Sequence, residues 1–205
     1  RYESSAASDV YKRQILLLIA APFRLRKHGG CSASNLLSHW IRDTWDILIG
    51  ISSFTLNEMK IIFFGKGKRG LVCLEKLLSE GENVLLIVNQ KNDSFAPSFE
   101  KIALQSKIES YCPENPNTPS ALGKLGSFDA DIFVLAGYGL ILGKKCLSLP
   151  KMHCINLHGG KLPEFRGSSP MNWALLKGEK EIGISIIEVE AGIDTGDVLA
   201  ESFLS

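Results

Sequence analysis

The residues best suited to chemistry lie within positions 154–197. Asn156 and His158 stand two apart in an apolar segment, and Asp194 follows later in the glycine-flanked stretch 192–197. An amide and an imidazole that converge on one point can donate hydrogen bonds to a developing oxyanion, and a nearby carboxylate can hold the imidazole in its charged form. These residue types in this order therefore favour an enzyme that transfers an acyl group.

The segment that carries the first two residues has the pattern of a buried strand ending in a loop. Side chains alternate along a strand, so Asn156 and His158 share one face and Leu157 points to the other. Ligands of open α/β sheets bind beyond the carboxyl ends of the strands, and Gly159 and Gly160 end this one. Each polar residue alone has a structural explanation, such as turn capping, but together they favour a site.

Apolar periodicity from Met59 onward predicts strands that alternate with helices. Short apolar or alternating runs predict strands at 61–64, 84–88, 132–136, 153–158, 182–186 and 198–204. Helical spacing predicts helices at 68–79, 98–107, 118–126 and 170–176, the last with a serine N-cap ahead of Pro170. The predicted fold class is therefore α/β, with a Rossmann-like, doubly wound and mostly parallel sheet.

Two parts of the chain read as different kinds of sequence. Residues 1–58 lack methionine and sustained periodicity, and their opening resembles translated adapter sequence. Met59 precedes the first strand as an initiator would. We predict that residues 1–58 are non-native or poorly structured, with a genuine N-terminal extension as the alternative. Residues 59–205 then form the catalytic domain, truncated at its C-terminus because the chain ends within a predicted strand.

Composition excludes several classes of protein. The chain has 205 residues, enough for a hydrophobic core, with 45% apolar residues, 22% charged residues and a net charge of +1. This balance gives no case for a nucleic-acid-coating or disordered protein. The apolar run 15–21 is too short to span a bilayer. It is not followed by a clear cleavage site, so we do not interpret it as a signal peptide. We expect a cytoplasmic protein without a membrane partner.

Cysteine usage points to the same compartment. The five cysteines form no C-x-x-C pair, and no cysteine–histidine cluster resembles a zinc site. We predict reduced thiols that mostly fill the core, and no bound metal.

A glycine-rich loop after the first strand matches a dinucleotide-binding pattern. Residues 65–70 read G-x-G-x-x-G between a strand and a helix. The pattern also needs an acidic residue at the end of the second strand, and none occurs before Asp93. We therefore interpret the loop as a tight turn, while Lys66, Lys68 and Arg69 could still meet a substrate phosphate.

The run NLHGGKLPEFRGSSP at 156–170, together with GIDTGD at 192–197, resembles the formyltransferase family that uses 10-formyltetrahydrofolate. That family includes methionyl-tRNA, glycinamide ribonucleotide and sugar N-formyltransferases, and the resemblance covers about residues 59–205, its N-terminal catalytic domain. The resemblance implies that Asn156 and charged His158 donate to the oxyanion formed when an amine attacks the formyl carbon. Asp194 would hold the imidazole charged and help to move the amine's proton, directly or through water.

The resemblance also implies 10-formyltetrahydrofolate as co-substrate, with the pterin held largely by backbone groups of loops near the site. The matching positions are Leu140, Ile141, Leu142, Gly160, Lys161, Leu162, Pro163, Glu190, Ala191 and Ile193. Residues 160–163 read Gly-Lys-Leu-Pro, which departs from the Ser-Leu-Leu-Pro usual in the tRNA enzymes.

The formyl acceptor is predicted from the same region. The stretch HGGKLPEFRGSSPMNWALL is similar to enzymes that act on nucleotide-linked amino sugars. Asn172 and Trp173 could offer an amide and a stacking face, although Trp173 could equally anchor a helix in the core. We predict a nucleotide-linked amino sugar as acceptor, with methionyl-tRNA as the alternative. A hydrolase that releases formate and a non-catalytic folate- or nucleotide-binding module remain open, as does the oligomeric state, a homodimer included.

Overall fold

A seven-stranded sheet forms the centre of the structure, a computed structural model that describes residues 59–204. The predictions for residues 1–58 lie outside the described residues. The strands are β1 (Ile61–Gly65), β2 (Val84–Val88), β3 (Glu109–Tyr111), β4 (Ile132–Ala136), β5 (His153–His158), β6 (Ile182–Glu188) and β7 (Val198–Leu204). The helices are α1 (Gly67–Ser79), α2 (Ala96–Ser106), α3 (Pro119–Gly126), α4 (Lys144–Leu147) and α5 (Pro170–Leu176).

The strand order is β3-β2-β1-β4-β5-β6-β7. The strands β2 and β3 are added on one side of β1, and β4 to β7 are added on its other side. Neighbouring strands from β3 to β5 are parallel, whereas β6 and β7 run antiparallel to their neighbours. This confirms the predicted doubly wound, mostly parallel α/β sheet. The two antiparallel strands at one edge determine how the last loop reaches the site.

Both faces of the central strands are covered, which explains their continuous apolar runs. Ile61 and Phe63 pack on one face with apolar residues of α1 and α2. Ile62 and Phe64 pack on the other face with residues of α3 and α4. Alternation along β1 therefore supplies both halves of the core.

Most element bounds agree with the sequence prediction. Four strands, β2, β4, β5 and β7, have the predicted bounds, and α1, α2 and α3 differ by one or two residues. Thr118 begins α3 as an N-cap, because its Oγ1 accepts a hydrogen bond from the amide of Ala121 at 3.2 Å. The short elements β3 and α4 were missed because neither has enough residues to show a period.

The predicted serine cap of α5 is only partly right. Ser169 occupies the N-cap position, but its backbone is left-handed (φ 56°, ψ 42°) and its side chain makes no capping hydrogen bond. An N-cap side chain normally reaches the first turn from an extended backbone, so this conformation directs the hydroxyl elsewhere. The Ser169 carbonyl still accepts from the amides of Asn172 and Trp173 at 3.0 and 3.2 Å.

Three described cysteines, Cys73, Cys146 and Cys154, are buried, and Cys112 is exposed. Burial raises the pKa of Cys73 to about 12 and that of Cys146 to about 11, and it also raises the pKa of Cys154. These protonated thiols serve as core residues and not as nucleophiles. Among residues 59–204, no helix has the length and apolar character needed to cross a bilayer.

Candidate active site

Strand β5 positions the first two candidate residues. Cys154 belongs to one core cluster, whereas Ile155 and Leu157 belong to the cluster on the opposite face. By alternation, Asn156 and His158 point to the same face as Cys154. Asn156 is half-buried, and His158 is buried with only 5% of its surface exposed.

The third candidate, Asp194, comes from the loop between β6 and β7, residues 189–197. This loop starts far from His158, because the amide of Val189 donates to the carbonyl of Cys154 at 2.8 Å. It then folds back along β5 until the Asp194 carboxylate lies beside the His158 ring. The loop of the antiparallel β6–β7 hairpin, and not the end of a parallel strand, therefore places the carboxylate beside His158.

Glycines allow the 189–197 loop to fold so tightly. A Cβ on Gly196 would collide with the backbone carbonyl of Glu188, and one on Gly192 would collide with the Thr195 side chain. Asp194 itself has a left-handed backbone with φ 49°. Such a conformation costs a non-glycine residue about 1–2 kcal/mol, so the surrounding contacts must hold it in place.

The Asp194 carboxylate is the point at which the site converges. Its Oδ1 accepts from Asn156 Nδ2 at 3.4 Å, and its Oδ2 accepts from the backbone amide of Gly167 at 2.9 Å. The same Oδ2 lies 3.3 Å from His158 Nδ1. The structure therefore brings Asn156, His158 and Asp194 together, with a backbone donor that the sequence did not indicate.

The second ring nitrogen of His158 determines where a proton must lie. Its Nε2 donates to the carbonyl of Phe165 at 2.6 Å, because a carbonyl oxygen can only accept. A neutral imidazole carries one N–H, which leaves Nδ1 without a hydrogen facing the Asp194 carboxylate. A further proton between His158 Nδ1 and Asp194 Oδ2 removes this repulsion. The pair can therefore store a proton beside the Asn156 amide.

The turn after β5 passes close to its neighbours. A Cβ on Gly160 would collide with Pro170 and press on Phe165, so only glycine fits there. Ser185 of β6 donates its hydroxyl to the Gly160 carbonyl at 2.9 Å. The turn is thus fixed from β6, which keeps the Phe165 carbonyl and the Gly167 amide beside the site.

The first predicted folate-binding stretch follows β4. Leu140 is half-buried, Ile141 is exposed and Leu142 is buried. Asn117 holds this stretch at both ends: its Nδ2 donates to the Ile141 carbonyl at 2.8 Å, and its Oδ1 accepts from the Gly143 amide at 2.6 Å. The only sequence signal for this role is the turn-forming Asn-Pro-Asn at 115–117.

The other predicted folate-binding positions flank the carboxylate and the histidine in the chain. Leu162 is buried, and its peptide bond to Pro163 is cis. Lys161 and Pro163 are exposed, as are the three positions in the later loop, Glu190, Ala191 and Ile193, while Gly160 is buried. Lys161 pairs with Glu164 at 3.0 Å. Folate binding by these positions stays a prediction.

The glycine-rich loop before α1 binds an internal carboxylate. The Gly67 amide donates to Oδ2 of the buried Asp93 at 2.8 Å. In a dinucleotide site, amides at this helix start bind pyrophosphate, so Asp93 occupies the corresponding position here. This geometry favours the interpretation of residues 65–70 as a structural turn. Within residues 59–204, no group of three or more histidine, cysteine, aspartate or glutamate side chains is arranged to hold a metal ion.

Comparison with known proteins finds relatives of the part of the chain that the structure describes. The profile of a family described as Formyl transferase matches residues 59–204. The methionyl-tRNA formyltransferase of Caldanaerobacter subterraneus subsp. tengcongensis is 38% identical over 150 residues, which cover 69% of this chain and 48% of that protein. The methionyl-tRNA formyltransferase of Trichormus variabilis is 39% identical over 153 residues, which cover 70% and 46%. The chain spans about half the length of these curated relatives.

Solved structures share the fold at lower identity. Phosphoribosylglycinamide formyltransferase from Bacillus halodurans superposes with a TM-score of 0.61 at 22% identity, covering 71% of this chain and 79% of that one. A formyltetrahydrofolate deformylase from Pseudomonas syringae pv. tomato gives a TM-score of 0.59 at 20% identity, covering 81% and 59%.

Proposed function

The chain belongs to the formyl transferase family, and from that premise we propose that it transfers the formyl group of 10-formyltetrahydrofolate to a primary amine. The observation that carries this proposal is the convergence of Asn156 and His158 on the Asp194 carboxylate, with donor–acceptor distances of 3.3–3.4 Å. An amide donor, an imidazole and a carboxylate in contact match the demands of acyl transfer to an amine.

Asn156 and His158 stabilise the negative charge that develops on the formyl oxygen as the amine nitrogen bonds to the formyl carbon. One amide hydrogen of Asn156 is committed to Asp194, and the other is free to donate to this oxygen. His158 Nε2 donates to the Phe165 carbonyl in the absence of substrate, so it must exchange that acceptor for the formyl oxygen. Fixed donors of this kind are each worth on the order of 100-fold or more in rate.

Asp194 and His158 move the proton that the attacking amine must lose. His158 Nδ1 and Asp194 Oδ2 face each other at 3.3 Å, so the pair can give a proton to the departing nitrogen of the folate and take one from the attacking amine. The amine nitrogen bonds to the formyl carbon to give a tetrahedral oxyanion, and the bond to the folate nitrogen then breaks as that nitrogen takes up a proton and the carbonyl re-forms. The amine is the nucleophile, so no covalent enzyme intermediate is required, and the chain's main contribution is to hold two substrates together.

We propose methionyl-tRNA as the acceptor, supported by the names of the curated relatives at 38–39% identity. A nucleotide-linked amino sugar is the second candidate, and the solvent exposure of α5 favours it. Trp173 is 56% exposed, so it is not a core anchor, and Asn172 beside it is exposed as well. An exposed indole and amide at the start of a helix that follows the site can stack on a sugar or a base.

The test combines the full chain with 10-formyltetrahydrofolate and, in separate reactions, methionyl-tRNA, nucleotide-linked amino sugars or buffer alone. Release of tetrahydrofolate and the mass of the formylated product are followed together. Formylation of the tRNA supports the proposed acceptor, and formylation of a sugar alone replaces it with the second candidate. Release in buffer alone indicates a hydrolase that passes the formyl group to water.

A binding module is distinguished by the variant His158→Ala. A transferase should lose about 100-fold or more in kcat while its affinity for the folate changes little, because the lost interaction acts in the transition state. A module that only binds folate would show no turnover in the parent chain. His153→Gln is the matched control, because His153 lies on the same strand and pairs with Glu188 outside the proposed site.

A further inference from the structure

Ser185 lies at the centre of a polar row that crosses three strands beside the proposed active site. It pairs directly with His158 of β5 on one side and with Glu201 of β7 on the other. Residues that lie directly opposite each other in antiparallel strands place their side chains on the same face of the sheet. The neighbours Ile184 and Ile186 belong to the core cluster on the opposite face, so the three polar side chains share the face of the site.

The Ser185 hydroxyl is buried and has two acceptors for a single hydrogen. Its Oγ lies 2.9 Å from the carbonyl oxygen of Gly160 and 3.0 Å from Oε1 of Glu201. Carbonyl and carboxylate oxygens only accept hydrogen bonds, and a hydroxyl has one hydrogen to donate. The Gly160 carbonyl and the Glu201 carboxylate therefore compete for the same hydrogen.

The turn that starts at Gly160 connects this hydroxyl to the His158 ring. The backbone of Lys161 lies against β6, because a Cβ on Gly183 would collide with it. The Lys161 carbonyl accepts from the amide of Phe165 at 2.9 Å, and the Phe165 carbonyl accepts from His158 Nε2 at 2.6 Å. If the turn moved away from β6, it would displace the acceptor that keeps a hydrogen on Nε2 and orients the ring.

We propose that Ser185 is a positioning residue that acts through His158. By donating to the Gly160 carbonyl, its hydroxyl holds the turn on β6, and Glu201 opposes this contact by competing for the hydrogen. The ring depends on a fixed turn because its Nε2 must leave the Phe165 carbonyl for the formyl oxygen and return to it after each reaction. This inference rests on the proposed function, because it assigns Ser185 a role in the reaction of the same site.

Steady-state kinetics of Ser185→Ala with the active acceptor test this role. Loss of one neutral hydrogen bond should lower kcat about 3- to 10-fold, with the KM of each substrate within about twofold of the parent. Ser110→Ala is the matched control, because it makes the same change at an exposed position of β3, and it should leave kcat unchanged. An unchanged kcat in Ser185→Ala, or a rise in KM alone, overturns the proposal.

A double-mutant cycle shows whether Ser185 acts through the ring. In the His158→Ala background, Ser185→Ala should lower kcat by less than about twofold, because the group that it positions is already absent. A loss as large as in the parent would mean that the two residues act independently, and it would overturn the proposal.

The variant Glu201→Gln tests the competition for the hydrogen. Its side-chain amide can donate to Ser185 Oγ, which leaves the hydroxyl hydrogen to the Gly160 carbonyl, so kcat should stay at or above the parent value. Glu201 is exposed, so this variant should fold like the parent and does not depend on the stability of Ser185→Ala. A lower kcat would show that the site needs the carboxylate, which contradicts the competition.

A nuclear magnetic resonance measurement without substrates separates failure of this inference from failure of the proposed function. In a proton–nitrogen correlation spectrum of the full chain, the His158 ring is identified by the signal that His158→Ala lacks. Ser185→Ala should move its Nε2 proton to higher field, because the contact with the Phe165 carbonyl weakens. A ring signal that depends on Ser185, without transfer to any amine, refutes the proposed function and retains the positioning role. Transfer with a parent-like kcat and ring signal in Ser185→Ala refutes the positioning role alone.

Discussion

Replacing Asp194 with asparagine removes the negative charge on which the site converges while keeping the shape of the side chain. Two amide donors, from Asn156 and Gly167, and the His158 ring face its two oxygens. An asparagine has only one oxygen, so its NH₂ group meets a donor whichever way the side chain is turned. The variant therefore loses hydrogen bonds as well as charge, and His158 loses the group that shares its proton.

The expected loss in Asp194→Asn is large in rate and moderate in stability. Removal of a positioned acid–base group typically lowers kcat by about 10²- to 10⁴-fold, equivalent to about 2.7–5.5 kcal/mol in activation free energy. The free energy of unfolding should fall by about 1.5–3 kcal/mol, the usual contribution of a hydrogen bond to a charged group. Initial rates at saturating substrates and urea denaturation measure the two effects separately.

Asp197→Asn is the matched control for this variant. It makes the same chemical change in the same loop at an exposed side chain, and it should keep kcat within twofold of the parent. If Asp194→Asn keeps kcat within fivefold of the parent, the carboxylate is not required and the assignment of the site is wrong.

Three further predictions concern the loops and the stability of the domain. Asn117→Ala removes both hydrogen bonds that hold the loop after β4. Since each is worth about 1 kcal/mol, the KM for folate should rise about 5- to 30-fold with little change in kcat. An unchanged KM for folate would show that this loop does not take part in folate binding. Gly196→Ala should lower the free energy of unfolding by about 1–3 kcal/mol, because its Cβ would collide with the backbone of Glu188. Gly123→Ala, in open space within α3, should raise the free energy of unfolding by about 0.5–1 kcal/mol in the same denaturation assay. Burial and a neighbouring glutamate raise the pKa of Glu82 from 4.5 to about 7. The folded state therefore binds this proton more tightly than the unfolded state, and stability falls as pH rises between these values. Glu82→Gln should raise Tm more at pH 8 than at pH 4, and equal changes in Tm at the two pH values would contradict this direction.

The fold was largely predictable because burial on both faces leaves continuous apolar runs in the sequence. The central strands β2, β4 and β5 follow directly from these runs. The three-residue strand Glu109–Tyr111 carries no apolar run, because it lies at the sheet edge and pairs only with β2. Strand direction at the other edge was not predictable either, since alternation along β6 is the same for a parallel and an antiparallel neighbour.

The candidate site was predictable in its residues and not in its geometry. Spacing along a strand placed Asn156 and His158 on one face, and the glycine-flanked stretch 192–197 indicated Asp194 as the carboxylate. Contacts made by backbone groups, such as the Gly167 amide and the Phe165 carbonyl, leave no trace in side-chain identity. Such contacts depend on how a loop folds, and glycine-rich loops follow no periodicity that reveals it.

The Asp93 carboxylate occupies the anion position at the start of α1 in this chain. The chain supplies its own anion 26 positions after Gly67, so a mobile phosphate would have to compete with a tethered group already in place. Replacing Asp93 with a neutral residue would leave the Gly67 amide without its anionic acceptor, and this amide would then be free to bind phosphate from solution. The glycine signature at 65–70 of this chain therefore serves an internal contact, with Asp93 as its anion.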